Sequence, residues 1–320
     1  MTLRLTVRES AWRAHVAETA AAFPGLVPVV KGNGYGFGRT TLAAEALKIS
    51  PTIAVGTVHE LAGLPAGAEP VVLTPTMSPP VGLAANVVLT IGAPHHLDAL
   101  CKAGWSGSVL VKVESPMLRY GRSPAEAVEL AAAAREHGLD VAGFSVHPPI
   151  AGPAAQNARE IEATIAALAS SVPIWTSHLD AGAYSDLCSR HSERTWRIRL
   201  GTALWHGDKR PMHLDATVLD VRAVPAGTRA GYRMVEVPGD GHLVVVAAGT
   251  AHGVHPLEGG LSPFHFARRR LALLEPPHMH TSMLFAPAAG PAAGQVPVPG
   301  DRVDVQRPLT WTLVDEVVWA

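Results

Sequence analysis

The stretch LVPVVKGNGYGFG, residues 26–38, joins a short apolar run to a lysine and a loop with four glycines. Residues 27–30 are all apolar, which is typical of a strand buried on both faces in a parallel sheet. Lys31 follows directly and therefore stands at the C-terminal end of that strand. Three interpretations are open: a dinucleotide-binding fingerprint, a phosphate-binding P-loop, or a lysine that binds a cofactor covalently.

The spacing of the glycines argues against the first two interpretations. A Gly-x-Gly-x-x-Gly fingerprint needs a third glycine where Phe37 or Arg39 stands. A P-loop carries its lysine after the glycines, whereas Lys31 precedes them. A cofactor-binding lysine remains, and its alternative is a lysine that extends from a strand end beside a flexible turn.

Runs of the same apolar kind recur along the first two thirds of the chain. Eight are found, at 27–30, 52–56, 70–74, 86–90, 108–113, 142–146, 173–177 and 197–201. Alanine-rich segments predict covering helices at 10–22, 40–49, 124–137 and 153–170. The alternation predicts an α/β protein, with a (β/α)8 TIM-type barrel in residues 1–210.

The pattern changes after about residue 210. Runs such as TVLDVRAVP, HLVVVAAG and RLALLE are separated by Pro-Gly turns, and no helical periodicity follows. Residues 211–320 are therefore predicted to form a smaller all-β domain, which the strand at 3–7 is expected to join.

Composition excludes several classes of partner. The net charge is -1 and only 17% of residues are charged, so neither a nucleic-acid-binding face nor a polybasic membrane anchor is indicated. No apolar run is long enough to span a bilayer, and the start MTLRLTVRES lacks the apolar core of a signal peptide. The expectation is a cytoplasmic protein that acts on a small molecule.

The opening motif also resembles a known family. VVKGNGYGFG, residues 29–38, is similar to the pyridoxal-phosphate lysine motif of the alanine racemases, with glycine at two positions where that family usually has alanine. Five further resemblances follow in order along residues 25–250: VLVKVESPMLRYG at 109–121, FSVHPP at 144–149, WTSHLDAG at 175–182, RIRLGTALWHG at 197–207 and VRAVPAGTRAGYR at 221–233.

The resemblance implies pyridoxal 5'-phosphate as cofactor and assigns a role to each matching residue. Lys31 would hold the cofactor covalently, and Tyr35 with the N–H groups of Gly201 and Thr202 would bind its phosphate. His147 would pack against the cofactor ring, His178 would lie beside it, and Arg199 would stand opposite the pyridine nitrogen.

The same resemblance implies amino-acid racemisation, most simply of alanine or a related small amino acid. Two bases on opposite faces of Cα are needed, and these would be Lys31 and Tyr232. Arg119 would orient the substrate carboxylate or the cofactor phenolic oxygen, Lys112 would support it, and Met279 would contact the substrate. In the family Tyr232 would come from the partner subunit, which implies a homodimer, and the lysine matching Lys112 is often carbamylated.

This sequence also departs from the family. An Asn-Ser pair normally follows the histidine that matches His178, whereas this chain has Asp180, Ala181 and Gly182, so that Tyr184 or Ser185 would have to replace the phosphate-binding serine. The family's Met-Asp pair is most nearly matched by Met279 and His280. These differences leave room for a substrate other than alanine.

Alternatives stay open at this stage. Lys112 could pair with Glu114, and Tyr232 could belong to a surface hairpin. His278 and His280 would alternate on one strand face, with His252 and His255 nearby, but without a cysteine or a placed carboxylate this spacing predicts no metal site. Rival functions are decarboxylation or β-elimination with the same cofactor, and a non-catalytic pyridoxal-phosphate-binding protein.

Overall fold

The computed structural model describes residues 2–168, 171–290 and 293–320, which form two compact units. One unit comprises residues 14–34 and 39–207. The other comprises the described residues of 2–13, 35–38 and 208–320. The domain limits 1–210 and 211–320 stay a prediction.

The first unit is built on a barrel of eight parallel strands. Strand β1 (Leu3–Val7) and helix α1 (Glu9–Ala22) precede it in the chain. Its strands are β2 (Leu26–Pro28), β3 (Thr52–Val55), β4 (Glu69–Val72), β5 (Val88–Ile91), β6 (Ser108–Lys112), β7 (Asp140–Ser145), β8 (Ile174–Thr176) and β9 (Trp196–Leu200). They are hydrogen-bonded in the order β2-β9-β8-β7-β6-β5-β4-β3, and a bridge between Val29 and Ala54 brings the two edges together. The predicted TIM-type barrel is confirmed.

Six more α-helices follow α1: α2 (Arg39–Leu47), α3 (Pro94–Lys102), α4 (Pro124–Glu136), α5 (Ala154–Ile165), α6 (Ala181–Arg190) and α7 (Thr202–His206). The helix predicted at 153–170 ends at Ile165, and its residues 169–170 lie outside the described residues. The connections between β3 and β4 and between β4 and β5 contain no α-helix. Both are rich in proline and glycine, which do not propagate a helix.

The second unit is built on antiparallel strands. These are β10 (Met212–Val224), β11 (Arg229–Ala230), β12 (Val235–Glu236), β13 (Gly241–Val246), β14 (Phe264–Phe266), β15 (Arg269–Arg270), β16 (Ala272–Leu273), β17 (Ser282–Pro287), β18 (Arg302–Val305) and β19 (Glu316–Trp319). The main sheet runs β15-β14-β18-β10-β13-β17-β16, and β11 pairs with β12 separately. Strand β1 pairs antiparallel with β10 and parallel with β19.

Strand β1 supplies part of the core of this second unit. Leu3, Leu5 and Val7 alternate along the strand and are fully buried. Trp12 packs against both Phe37 and Trp319, with ring centroids 5.2 Å apart in each pair. The N-terminal residues therefore bury apolar surface against the end of the chain.

Two further features concern the cysteines and the helices. Cys101 and Cys188 are free, half-buried thiols. Among the described residues, no helix combines the length and apolarity needed to cross a bilayer.

The substitution Leu5→Ala is expected to destabilise the protein by about 2–5 kcal/mol, because it removes a fully buried side chain and leaves a cavity. Urea unfolding followed by circular dichroism would measure the change. The matched control is Leu313→Ala, which makes the same change at a side chain that is 55% exposed and is expected to cost less than about 1 kcal/mol. Equal losses in both variants would contradict the role of β1 in the core.

Candidate active site

Polar residues gather at the C-terminal ends of the barrel strands. Lys31 follows β2, Lys112 ends β6, His147 follows β7, His178 follows β8 and Arg199 lies in β9. Parallel strands end at one rim, so side chains distant in sequence become neighbours. The charges of Arg119 and Arg199 act on both Lys31 and Lys112 and lower the pKa of each. We call these four residues the cationic cluster.

Arg199 is a buried member of the cluster. Its Nε donates to the carbonyl of Thr176 and its Nη2 to the carbonyl of Val146, each at 3.3 Å. Burial, followed by the charge of Arg119, lowers the pKa of Arg199 to about 10. The guanidinium therefore stays protonated at neutral pH.

His147 is held as a neutral ring. Its Nδ1 lies 3.4 Å from Nη2 of Arg199, which can only donate, and makes a short hydrogen bond with the hydroxyl of Ser177. We therefore assign Nδ1 as acceptor and place the proton on Nε2. Burial, followed by the charges of Arg199 and Lys112, keeps the pKa of His147 far below its usual value.

His178 adopts a strained backbone beside this ring. Its φ is 58°, a left-handed conformation that costs a non-glycine residue on the order of 1 kcal/mol. Its Nδ1 lies 2.8 Å from the carbonyl of Pro148, and its own carbonyl accepts a 3.0 Å hydrogen bond from the buried amide of Asn157. The rings of His147 and His178 lie 4.5 Å apart. These contacts compensate for the strain and fix both imidazoles.

Lys112 is buried without a counter-ion. Its Nζ donates to the hydroxyl of Ser145 at 3.3 Å, and no carboxylate of the described residues lies within ion-pair distance. The alternative that Lys112 pairs with Glu114 is therefore wrong, because Glu114 is an exposed residue outside this contact. Burial, followed by the charges of Arg199 and Arg119, keeps the pKa of Lys112 well below its ordinary value.

Lys31 stands at the exposed edge of the cluster. The neighbouring protein partly desolvates its amine, and this effect, with the charges of Arg119 and Arg199, lowers the pKa of Lys31 against an opposite influence of Glu60. The carboxylate of Glu60 accepts from the backbone N–H of Gly32 at 3.0 Å and of Gly56 at 2.6 Å. Glu60 thus ties the loop that carries Lys31 to the end of β3.

The remaining predicted site residues fall in different places. Gly201 and Thr202 stand at the start of α7. Tyr184 does not replace the missing serine, because its ring is buried and its hydroxyl donates to the carbonyl of Pro24 at 2.7 Å. Asp180 instead caps α6 and accepts from the N–H of Ala183.

Tyr35, Tyr232 and Met279 belong to the second unit. Tyr35 is buried and has a φ of 55°, whereas Tyr232 and Met279 are 86% and 65% exposed. The turn that carries Tyr232 is held by the buried carboxylate of Glu275, which accepts from the N–H groups of Tyr232 and Arg233 at 2.9 and 3.0 Å.

His278 contacts both Glu275 and Tyr232. Its Nε2 lies 2.6 Å from Glu275, and its ring lies 4.4 Å from the ring of Tyr232. The expectation that His278 and His280 lie on a strand is wrong, because both precede β17 in a loop that Pro276 and Pro277 begin. Among the described residues, no three His, Cys, Asp or Glu side chains are arranged to hold a metal ion.

Sequence reasoning missed five residues that support the site: Glu60, Ser145, Asn157, Ser177 and Glu275. Ser145 and Ser177 lie within the motifs FSVHPP and WTSHLDAG, close before His147 and His178. This position at the end of a strand was the signal that could have identified them. Glu60 and Glu275 act on backbone N–H groups 28 and 43 residues away. No local pattern indicates such partners.

The residues at the rim suit pyridoxal 5'-phosphate. The ligand carries a phosphate and a phenolic oxygen, and the four cations of the cluster supply positive charge that Glu60 opposes at Lys31. A lysine whose pKa is lowered has more of its amine in the unprotonated form that attacks a carbonyl. Lys31 would hold the aldehyde carbon, and Arg199 with the neutral His147 would contact the ring.

Most of the chain is similar to known proteins. The protein-family model described as "Alanine racemase, N-terminal domain" matches residues 7–208. The alanine racemase of Methylobacterium sp. (strain 4-46) is 28% identical over 92% of this chain and 86% of its own length. That of Methylobacterium nodulans is 26% identical over 79% of this chain and 73% of its own length.

Solved structures support the fold. Alanine racemase from Bacillus anthracis aligns with a TM-score of 0.72 at 20% identity, over 95% of this chain and 85% of that one. Alanine racemase from Bartonella henselae, solved with covalently bound pyridoxal phosphate, aligns with a TM-score of 0.70 at 18% identity, over 97% and 91%. Because the family model covers well over half of the sequence, the chain belongs to the family of the alanine racemase N-terminal domain.

Proposed function

We propose that this protein is a pyridoxal-phosphate-dependent amino-acid racemase, an isomerase that interconverts the L and D forms of alanine or a related amino acid. The observation that carries the proposal is Lys31, an amine of lowered pKa at the barrel rim, within electrostatic reach of Arg119 and Arg199. The curated relatives named alanine racemase support the same reaction.

The chain's own residues divide the work of proton transfer. Pyridoxal phosphate, when bound, supplies an electron sink that makes the Cα proton of an amino acid acidic. Lys31 would hold or release a proton at its Nζ on one face of Cα, and Tyr232 would do so at its hydroxyl on the other. Arg119 would orient the substrate carboxylate.

Arg199 and His147 would govern how strongly the cofactor withdraws electrons. Arg199 donates hydrogen bonds but keeps its protons at neutral pH, and His147 stays neutral beside it. A ring nitrogen that faces such a guanidinium would remain unprotonated, so electron withdrawal would be moderate. Moderate withdrawal favours simple proton exchange over side reactions.

We further propose a homodimer in the cytoplasm. Tyr232 is 86% exposed while its backbone is firmly held, which suits a side chain that completes the active site of a second copy. The free thiols of Cys101 and Cys188 suit a reducing compartment.

The substitution Lys31→Ala is expected to abolish both cofactor attachment and racemisation, because no other amine replaces Nζ. The visible absorption of the purified protein with pyridoxal phosphate, and chiral analysis of L-alanine incubations on the same sample, would test both effects. Lys102→Ala removes an exposed lysine and should leave both signals unchanged. A lysine-dependent band accompanied by carbon dioxide or pyruvate instead of D-alanine would identify decarboxylation or elimination.

The substitution Glu275→Gln is expected to lower kcat about tenfold with little change in KM, because weaker hydrogen bonds would loosen the turn that carries Tyr232. Burial alone would raise the pKa of Glu275, but His278 and the N–H groups of Arg233 and Tyr232 lower it below the usual value. The carboxylate therefore stabilises the fold above about pH 4.3 and loses this effect as pH falls through its lower folded pKa.

Unfolding of the Glu275→Gln variant measured from pH 7 to pH 3 should accordingly depend less on pH than unfolding of the wild type. Glu258→Gln makes the same change at an exposed residue and serves as the control. If both variants keep wild-type kcat and the same acid dependence, Glu275 does not position Tyr232.

Mixing two inactive variants tests the shared active site. Lys31→Ala and Tyr232→Phe should each be inactive, but a mixed dimer would contain one site with both intact residues. Random reassociation of equal amounts is expected to restore about a quarter of wild-type activity, since half of the dimers are mixed and each has one working site. Mixing Lys31→Ala with Lys31→Arg should restore nothing, and the absence of rescue in both mixtures would contradict the shared site.

A further inference from the structure

A cavity of about 430 Å³ opens at the C-terminal ends of β5 and β6. Its polar lining consists of His95, His96, Glu114, Arg119, Tyr120 and Arg122. None of these residues except Arg119 has a role in the proposed racemisation. The cavity therefore contains polar side chains that have no role in the proposed proton transfer.

The backbone holds the two loops of this cavity against each other. A Cβ atom added to Gly92 would lie 3.1 Å from the N atom of Gly121 and 3.2 Å from Cβ of Lys112, so the loops meet without room for a side chain. The N–H of Arg122 donates to the carbonyl of Lys112 at 3.3 Å, and its own carbonyl accepts from Glu114 at 2.7 Å. Arg122 is thereby fixed next to the strand end that carries Lys112.

The lining is strongly biased toward cations and hydrogen-bond donors. Arg119 and Arg122 are always charged, and among the described residues no carboxylate lies within ion-pair distance of either. Nδ1 of His96 accepts a 3.1 Å hydrogen bond from Gly92, so the neutral ring carries its proton on Nε2 and can donate. Glu114 is the only carboxylate in the lining.

A carboxylate is the ligand that this donor set fits best. Guanidinium groups match the two oxygens of a carboxylate in a bidentate geometry, and two of them line one small cavity. The Cζ atom of Arg119 lies over the ring of Tyr120, 4.8 Å from its centre, in a cation–π contact.

Arg119 also connects the cavity to the cationic cluster, since its charge acts on both Lys31 and Lys112. A ligand at Arg119 is therefore within electrostatic reach of the reacting centre. The methyl group of alanine would leave all of the additional donors in the cavity unused.

We propose that this cavity is a carboxylate-binding subsite that receives the side-chain carboxylate of a dicarboxylic amino acid. This inference rests on the proposed racemase function and names its substrate class. Aspartate and glutamate would be preferred over alanine, because only their side chains can engage Arg122.

The test compares kcat/KM for racemisation of aspartate, glutamate and alanine by the holoenzyme. Arg122→Gln is expected to lower kcat/KM for the preferred acidic amino acid about 10- to 100-fold, the range for losing a charged hydrogen-bonded pair, and to leave alanine almost unchanged. Arg135→Gln removes the same charge from an exposed position on α4 and should change neither. If Arg122→Gln does not fold, His95→Gln takes its place in the test, because it changes an exposed ring of the same lining.

Calorimetric titration of the holoenzyme with succinate tests whether the cavity binds the side chain of the substrate or a separate carboxylate ligand. Binding that competes with the acidic amino acid and weakens in Arg122→Gln supports the proposal. Binding without competition, with turnover of alanine alone, overturns the substrate assignment. Equal effects of Arg122→Gln on alanine and on the acidic amino acids would overturn the subsite. If no amino acid is racemised, the proposed function is wrong, and succinate binding alone then tests the subsite.

Discussion

The crowding of four cations at one barrel rim is the constraint on which the rest of the site depends. Parallel strands must end together, and β2, β6 and β9 each bring a lysine or an arginine to that end. Like charges in a partly buried place raise one another's energy, and Glu60 opposes them at Lys31. The protein answers with neutral acceptors: the carbonyls of Thr176 and Val146 take hydrogen bonds from Arg199. Burial, followed by the charges of the two arginines, leaves Lys31 and Lys112 with lowered pKa values.

Backbone strain occurs at or near several predicted site residues. Outside the β14–β15 turn, the described non-glycine residues with positive φ are Tyr35, Leu118, His178 and Met234. Two of them are predicted site residues, Leu118 precedes Arg119, and Met234 lies two residues after Tyr232. Each such conformation costs on the order of 1 kcal/mol and persists only where surrounding contacts enforce it. At His178 the enforcing contacts are identified: Asn157 holds its carbonyl and Pro148 holds its ring.

The barrel, and the site residues that directly follow its strands, were predictable from sequence because their signals are local. A strand buried on both faces is a continuous apolar run, and Lys31, His147 and His178 directly follow such runs. Helices α3 and α6 were missed because His95, His96 and Asp98, or Ser185 and Asp186, interrupt the alanine-rich pattern that marks the other helices. The partners that fix the site are non-local: Glu60 binds Gly32 and Glu275 binds Tyr232 through folds of the chain that no short motif encodes.

The position of Arg119 links substrate charge to the strength of the base. Burial lowers the pKa of Lys31, and the nearby positive charge of Arg119 lowers it further, because two like charges disfavour each other. A side-chain carboxylate held at Arg122 would bring a second negative charge beside the one that Arg119 orients, and would offset more of the effect. Binding of an anionic substrate would thus raise the proton affinity of Nζ at the step where Lys31 must accept a proton from Cα. Because a neutral side chain could not offset this field as fully, the proposed subsite would also favour reaction of a dicarboxylic amino acid over that of alanine.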